Sequence, residues 1–210
     1  MSQAEELAAV LRPMIGDERV LASIATVPRD LFVPTAERPR AYENVALPIG
    51  CGQTISQPLV VARMLETLAL RPQDRVLDVG TGSGYHAALL AQLSAHVWTI
   101  ERYAELSAQA RDAAGLLGIE NITFIVGDGY GGLPDEAPFD AVNVAAATSD
   151  SVPAELEQQL ADSGRMVVPV GDRDQHLMLV ERRGDMVRQT RLEPVRFVPL
   201  IRGDFGDAHA

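Results

Sequence analysis

The chain is 210 residues long, 47% hydrophobic, 22% charged and 5% aromatic, with a formal net charge of -11. At this length roughly 70% of the unfolded surface can be buried, which argues against extensive disorder, and no apolar run reaches the roughly 18–20 residues that span a bilayer. All 18 basic residues are Arg, so a Walker-type phosphate loop and any lysine-dependent catalysis are excluded. The single Cys51 permits no internal disulfide and no zinc ribbon. The histidines at 86, 96, 176 and 209 never fall at metal-ligand spacing, so no metal is expected. The acidic balance, with no basic run, argues against a nucleic-acid partner but leaves a local Arg patch open. Residues 1–6 lack a basic n-region, so a cytoplasmic location is the expectation.

Ser2 is placed to cap a helix over 4–11, and Asp17 a second one running through 24. Prolines at 28, 34 and 39 make 26–44 a stretch of loops and short turns. Residues 47–58 read as a Gly-rich loop feeding a helix, with Pro58 in the first turn, where its missing N–H costs nothing. Helical periodicity then continues to Leu70. From 75 the pattern becomes strand–helix alternation, with strands expected over 75–79, 96–101, 122–126, 139–145 and 165–170. Helices are expected over 85–93, 104–117 and 152–161. Short apolar strands alternating with helices predict a parallel sheet covered on both faces. Residues 177–182 and 186–200 flank Arg183-Gly184-Asp185, a hairpin signal. The expectation is one α/β domain over 1–210, with a helical and loop extension over 1–57 and a cofactor-binding core over 58–210. Its mostly parallel, doubly wound sheet ends in an antiparallel hairpin, the outline of a Rossmann-like class I methyltransferase.

The first strand runs into Asp78-Val79-Gly80-Thr81-Gly82-Ser83-Gly84. These glycines let the backbone turn tightly and approach a ligand at a helix N-terminus. The dinucleotide fingerprint G-x-G-x-x-G needs glycine at 85, where Tyr85 stands; G-x-G-x-G after an acid is the spacing of S-adenosylmethionine sites. Glu101 ends the second strand, 23 positions after Asp78, where a carboxylate can accept both ribose hydroxyls. Gly127-Asp128-Gly129 closes the third strand, where an acid can accept from an adenine amino group. Each feature alone has a structural reading. The turn is then plain loop geometry, Asp78 a cap, Glu101 a solvated partner of Arg102, and Asp128 a turn residue. Three acids at three consecutive carboxyl ends of a parallel sheet favour the cofactor site. His86 reads as a helix-surface residue, Trp98 as core, and Cys51 as a small loop residue.

The chain resembles the protein-L-isoaspartate (D-aspartate) O-methyltransferases nearly along its full length. The matching segments run in order from Val27-Pro28-Arg29 with Phe32-Val33, through Ala41-Tyr42-Glu43-Asn44 with Leu47-Pro48-Ile49-Gly50, to Gly52-Gln53-Thr54-Ile55-Ser56-Gln57-Pro58. The Gly-rich turn, Gly127-Asp128-Gly129, Pro138-Phe139-Asp140, Pro169-Val170-Gly171 and Val195-Arg196-Phe197-Val198-Pro199-Leu200 follow. The turn belongs to methyltransferases at large, whereas the segment over 52–58 is far more specific. The resemblance implies S-adenosyl-L-methionine as cofactor, held by Ile55, Gln57, Asp78, Gly80, Gly82, Gly84, Glu101, Asp128 and Gly129, with Ser56 as the active-site serine. It also implies isoaspartyl-containing proteins and peptides as acceptors. The methyl ester of the isoaspartyl carboxylate then collapses to a succinimide that reopens partly as aspartate. Where the family usually has Val-Thr-Ala-Ala followed by prolines, this chain reads Val144-Ala145-Ala146-Ala147-Thr148-Ser149-Asp150, so the hydroxyl at 145 is missing.

A carboxyl group with a pKa near 4 is already ionised at neutral pH, so this transfer needs no general base. What remains is in-line alignment and exclusion of water. Ser56 then serves as a donor that orients the acceptor carboxylate, or alternatively as the cap of the following helix. Residues 42–49 with Val198-Pro199-Leu200 are the expected peptide-holding surface, unless they merely close the core. Three rival functions stay open: a tRNA methyltransferase on the same fold, a binding module that kept the fold, and a tailoring enzyme for aspartate in one precursor peptide.

Overall fold

The computed structural model describes residues 1–203. Helix α1 (Gln3–Leu11) begins with a capping box between Ser2 and Glu5, and Asp17 caps α2 (Glu18–Thr26) through the Arg19 N–H. Their apolar faces bury Leu7, Leu11, Leu21 and Ile24 against each other and the core. The proline-rich stretch forms two 3-10 turns, Arg29–Phe32 and Thr35–Arg40.

The segment read as a Gly-rich loop is instead a small antiparallel hairpin, β1 (Leu47–Gly50) and β2 (Gln53–Ile55), pairing Leu47 with Ile55. Its turn carries Gly50, Cys51 and Gly52 at φ of 113°, 48° and 68°. Two glycines and one strained residue give the reversal, so the glycines mark a turn between strands and not a loop. Helix α3 (Pro58–Leu68) follows with Pro58 in its first turn, as expected.

The main sheet contains β3 (Arg75–Val79), β4 (His96–Glu101), β5 (Ile122–Val126), β6 (Phe139–Val144), β7 (Leu160–Val170), β8 (His176–Arg183) and β9 (Met186–Pro194) in the order β5-β4-β3-β6-β7-β8-β9. The first five in that order run parallel, and β8 and β9 are antiparallel. Residues on alternate sides of the strands enter two cores. One contains Val76, Val97, Ala141 and Val167 with α1, α2, α3 and the helices α4 (Tyr85–Leu93) and α5 (Ala104–Leu116). The other contains Leu77, Trp98, Val142 and Met166 with Leu156.

Two boundaries depart from expectation on this second face. The helix read over 152–161 shrinks to α6 (Ala154–Glu157), and β7 already starts at Leu160. Gln159, 6% exposed, ends the helix by donating to the Gly131 and Glu155 carbonyls and accepting from the Leu133 N–H. The last strand stops at Pro194, not at 200. Residues 195–200 cross back over the sheet, where the Ala147 N–H donates to the Val198 carbonyl at 2.8 Å and the Leu200 N–H to the Ala147 carbonyl at 2.7 Å.

Candidate active site

The order of strands reverses between β3 and β6, and a cleft of about 810 Å³ opens above their carboxyl ends. Gly80 and Gly82 line it at φ of 90° and 52°. A Cβ on Gly80 would lie 3.7 Å from Ala145, and one on Gly82 3.4 Å from the Ile49 side chain. Gly84 has another task. Its added Cβ would stand 2.7 Å from that of Ala110, so this glycine lets α4 pack on α5 and does not line the cleft.

The three acids part company in the same way. Glu101 lines the cleft, 6% exposed, and its carboxylate accepts from the Gly82 N–H at 2.9 Å and the Tyr103 N–H at 3.1 Å. It thereby holds the turn in place with lone pairs left for further donors. Asp78 is fully buried behind the turn, accepting from the Asn143 amide and the Thr99 hydroxyl at 2.7 Å each. Burial, with repulsion from Glu101, pushes its pKa up to about 6. Asp128 also stands outside the lining; its oxygens accept from the Tyr130 and Gly203 N–H groups at 2.9 Å. Its neighbour Gly129 does line the cleft, packed so that a Cβ would meet Val79 at 2.6 Å.

His86 was expected on a helix surface, and the structure corrects this. It is 7% exposed, lines the cleft, and has an Nε2 with no hydrogen-bond partner. Burial pushes its pKa down to about 4, so the imidazole is neutral at physiological pH. The signal was in the sequence: Tyr85–Leu93 carries almost no polar residue, and a helix apolar all round is buried all round. Tyr85 beside it also lines the cleft with its buried hydroxyl unpartnered.

A second groove, about 1100 Å³, meets the cleft along Thr54, Ser56, Ala145 and Val198. Its walls come from Asn44–Ala46 and Pro194–Val198, which overlaps the expected peptide surface. Ile55 lines the cleft, Gln57 lines only the groove, and Ser56 lines both. Ser56 does not cap α3. The first-turn Leu59 N–H donates to the Asn44 side chain at 3.0 Å, and the Gln57 amide donates to the Asn44 carbonyl at 2.9 Å. A residue fifteen positions before Leu59 takes the capping role, leaving the Ser56 hydroxyl with no hydrogen bond among the described residues. Ala145 sits at the junction, so the departure from the family pattern falls where cleft and groove join.

Cys51 is a half-buried free thiol whose pKa is raised by burial and by Glu105 and Glu101, the reverse of an activated nucleophile. Among the described residues no group of three or more His, Cys, Asp or Glu could hold a metal, and no helix is long and apolar enough to cross a membrane. His209 lies outside the described residues.

The family model for protein-L-isoaspartate(D-aspartate) O-methyltransferase matches residues 3–204. A protein-L-isoaspartate O-methyltransferase of Roseiflexus castenholzii is 54% identical over 195 residues, 92% of this chain and 89% of the relative. The enzyme of that name from Methanoregula boonei is 52% identical over 193 residues, covering 91% and 88%. Among solved structures, one protein-L-isoaspartate O-methyltransferase superposes with a TM-score of 0.86 at 27% identity, covering 97% of this chain and 67% of the other. A second, described as the Plasmodium falciparum beta-aspartate methyltransferase in complex with S-adenosyl-L-homocysteine, gives 0.82 at 26% identity, covering 97% and 100%.

Proposed function

The chain belongs to the protein-L-isoaspartate(D-aspartate) O-methyltransferase family, and from that premise we propose how its residues divide the work. The reaction is methyl transfer from S-adenosyl-L-methionine to the free carboxylate of L-isoaspartyl residues, the first step of repair through a succinimide. The cofactor supplies the methyl group as a sulfonium. Gly80 and Gly82 leave the turn bare of side chains where a ligand would approach. Glu101 keeps acceptor capacity for hydroxyl donors after binding its two N–H groups. Ile55 and Gly129 supply apolar and backbone walls.

The observation that carries the reading is that Ser56 lies where the cleft and the groove meet, its hydroxyl free of any hydrogen bond among the described residues. A donor there orients the acceptor carboxylate, and no residue need take a proton, because the acceptor is already ionised. Asp78, Gly84 and Asp128 support the site from behind: Asp78 through Thr99 and Asn143, Gly84 through the contact with α5, and Asp128 by anchoring the chain at Gly203. The whole chain acts as one methyltransferase domain on isoaspartyl-containing proteins and peptides, in the cytoplasm. Its net charge of -11 disfavours nucleic acid as an alternative acceptor.

The test is methyl transfer from labelled cofactor to one peptide in isoaspartyl and aspartyl forms, with tRNA as a third acceptor. Transfer to the isoaspartyl form alone is expected. Equal transfer to both peptides, or transfer to tRNA only, overturns the assignment of substrate.

A further inference from the structure

Arg29 is the one cation in the described residues that is completely buried, at 0% exposed. Its guanidinium donates to three carbonyls: those of Ala41, of Val45 at 3.1 Å and of Ser56 at 3.0 Å. It lies 5.9 Å from the Tyr85 ring centroid, and its Nε has no partner. Among the described residues no carboxylate pairs with it, and the neighbouring phenols of Tyr85 and Tyr42, whose pKa values burial pushes up, are neutral at physiological pH. Burial pulls its pKa down to about 10, which still leaves it charged at physiological pH. A buried charge without a counter-charge is expensive, and proteins keep few of them.

The position of this charge is informative. Two of its three carbonyl partners, Val45 and Ser56, line the groove, and Ser56 also lines the cleft. The guanidinium therefore stands one backbone carbonyl behind the wall that faces the acceptor. With no solvent around it, its field there is poorly screened. The chain as a whole carries -11, which by itself repels an anion.

We propose that Arg29 is a positioning residue that selects an anionic acceptor: it fixes the carbonyls of Val45 and Ser56, and its unneutralised charge favours a carboxylate over a neutral group at the junction of groove and cleft. The inference rests on the methyl-transfer reading above. It adds a reason why a carboxylate in particular is held there, beyond the hydrogen bond from Ser56, which a neutral amide could also accept.

The experiment compares an isoaspartyl peptide with its isoasparaginyl counterpart, in which the same carboxyl is a neutral amide, as competitors in the methylation assay. Wild-type protein is expected to prefer the acid. Arg29→Met, close in length but uncharged, should reduce that preference about tenfold, with the affinity for S-adenosylhomocysteine unchanged by calorimetry. Arg29→Lys keeps the charge, loses the fork, and should retain most of the preference; it also serves where the Met variant does not fold. Loss of acid and amide binding in equal proportion, or a preference unchanged in Arg29→Met, would mean that Arg29 only holds the backbone. If Arg29→Lys loses the preference, the charge is not the cause and the proposal falls. A wild-type protein that methylates neither peptide instead overturns the underlying function, a separate result from either of these.

Discussion

The half of the molecule that would hold the cofactor and the half that would hold the acceptor are built by different means. The cofactor half is made of β3, β4 and β6 with α4, and its parts are periodic and buried: Val79 and Ala87 are 0% exposed and Tyr85 is 2% exposed. The acceptor half is made of 3-10 turns, a two-stranded hairpin and the returning segment over 195–200. Long-range polar bonds hold it. Asn44 caps α3, Arg29 holds three carbonyls, and Tyr42 donates to Asp30. The Gln175 side chain takes both the N–H of Phe197, at 2.6 Å, and its carbonyl, at 3.1 Å. Periodic burial fixes a site that must recognise one small molecule. Irregular backbone, pinned at a few polar points, suits a groove that must accept many peptides with one feature in common.

The sharpest break between the halves should come from Glu101. Glu101→Ala removes an acceptor for two hydroxyl donors and frees the Gly82 and Tyr103 N–H groups together. Charge-assisted bonds of this kind contribute roughly 1.5–3 kcal/mol each, so affinity for S-adenosylhomocysteine should fall by about a hundredfold or more. Calorimetry checks this. An affinity within a few-fold of wild type would mean that the carboxylate serves the turn alone.

Next comes Gly84, which tests whether every glycine of the turn faces the ligand. Gly84→Ala combines a left-handed backbone with a contact at 2.7 Å to Ala110. About 2–4 kcal/mol of stability should be lost, while the folded protein keeps its cofactor affinity. Urea melts and calorimetry on the same sample separate the two effects. A stable variant with weak binding would reverse the assignment.

Ser56 and Asn44 then divide function from structure within the acceptor half. Ser56→Ala should lower turnover about tenfold, near 1.4 kcal/mol, with product affinity and melting temperature nearly unchanged. Asn44→Ala should cost about 1 kcal/mol of stability through the lost cap, with a smaller effect on turnover. If it is Ser56→Ala that loses stability and keeps turnover, the hydroxyl is structural after all.

The same contrast explains what was legible in the sequence. Strands and helices over 75–144 follow from apolar periodicity, and the Gly-rich turn with Glu101 follows from spacing at strand ends. Asp78 and Gly84 carried the same signals yet lie behind the turn, and Asp128 lies half-buried beside Gly129, because residue type and spacing fix a place in the turn without fixing which way a side chain faces. The hairpin over 47–55 was hidden since its turn needs three successive residues at positive φ, and two of them are glycines that also suit a loop. The Asn44 cap and the Arg29 fork were invisible for a plainer reason. Both act across 12 to 27 positions, and no local pattern records such a pairing. His86 was legible in the apolar character of the helix around it, which buries a residue whose type alone suits a helix surface.

The periodic half also carries a pair of opposing slopes with pH. Asp78 is held at about 6, above its ordinary 3.8, chiefly by burial. The folded chain binds this proton more tightly than the unfolded one, so the stability Asp78 contributes is full below its unfolded value and is lost as pH rises through about 6. His86 is held at about 4, below its ordinary 6.5, also by burial. Its contribution is full above the unfolded value and is lost as pH falls through about 4. Between about pH 4 and 6 the two oppose each other, each with a slope of at most about 1.4 kcal/mol per pH unit. Asp78→Asn leaves His86 alone, so stability should climb more steeply with pH than in the wild type. His86→Gln leaves Asp78 alone, so it should climb less steeply or fall. Urea midpoints for the three proteins at about pH 4, 5 and 6 read both slopes. Slopes that shift in the same direction in both variants would show that one of these side chains is wetter than the structure makes it, and the cofactor half would then be less dry than the comparison requires.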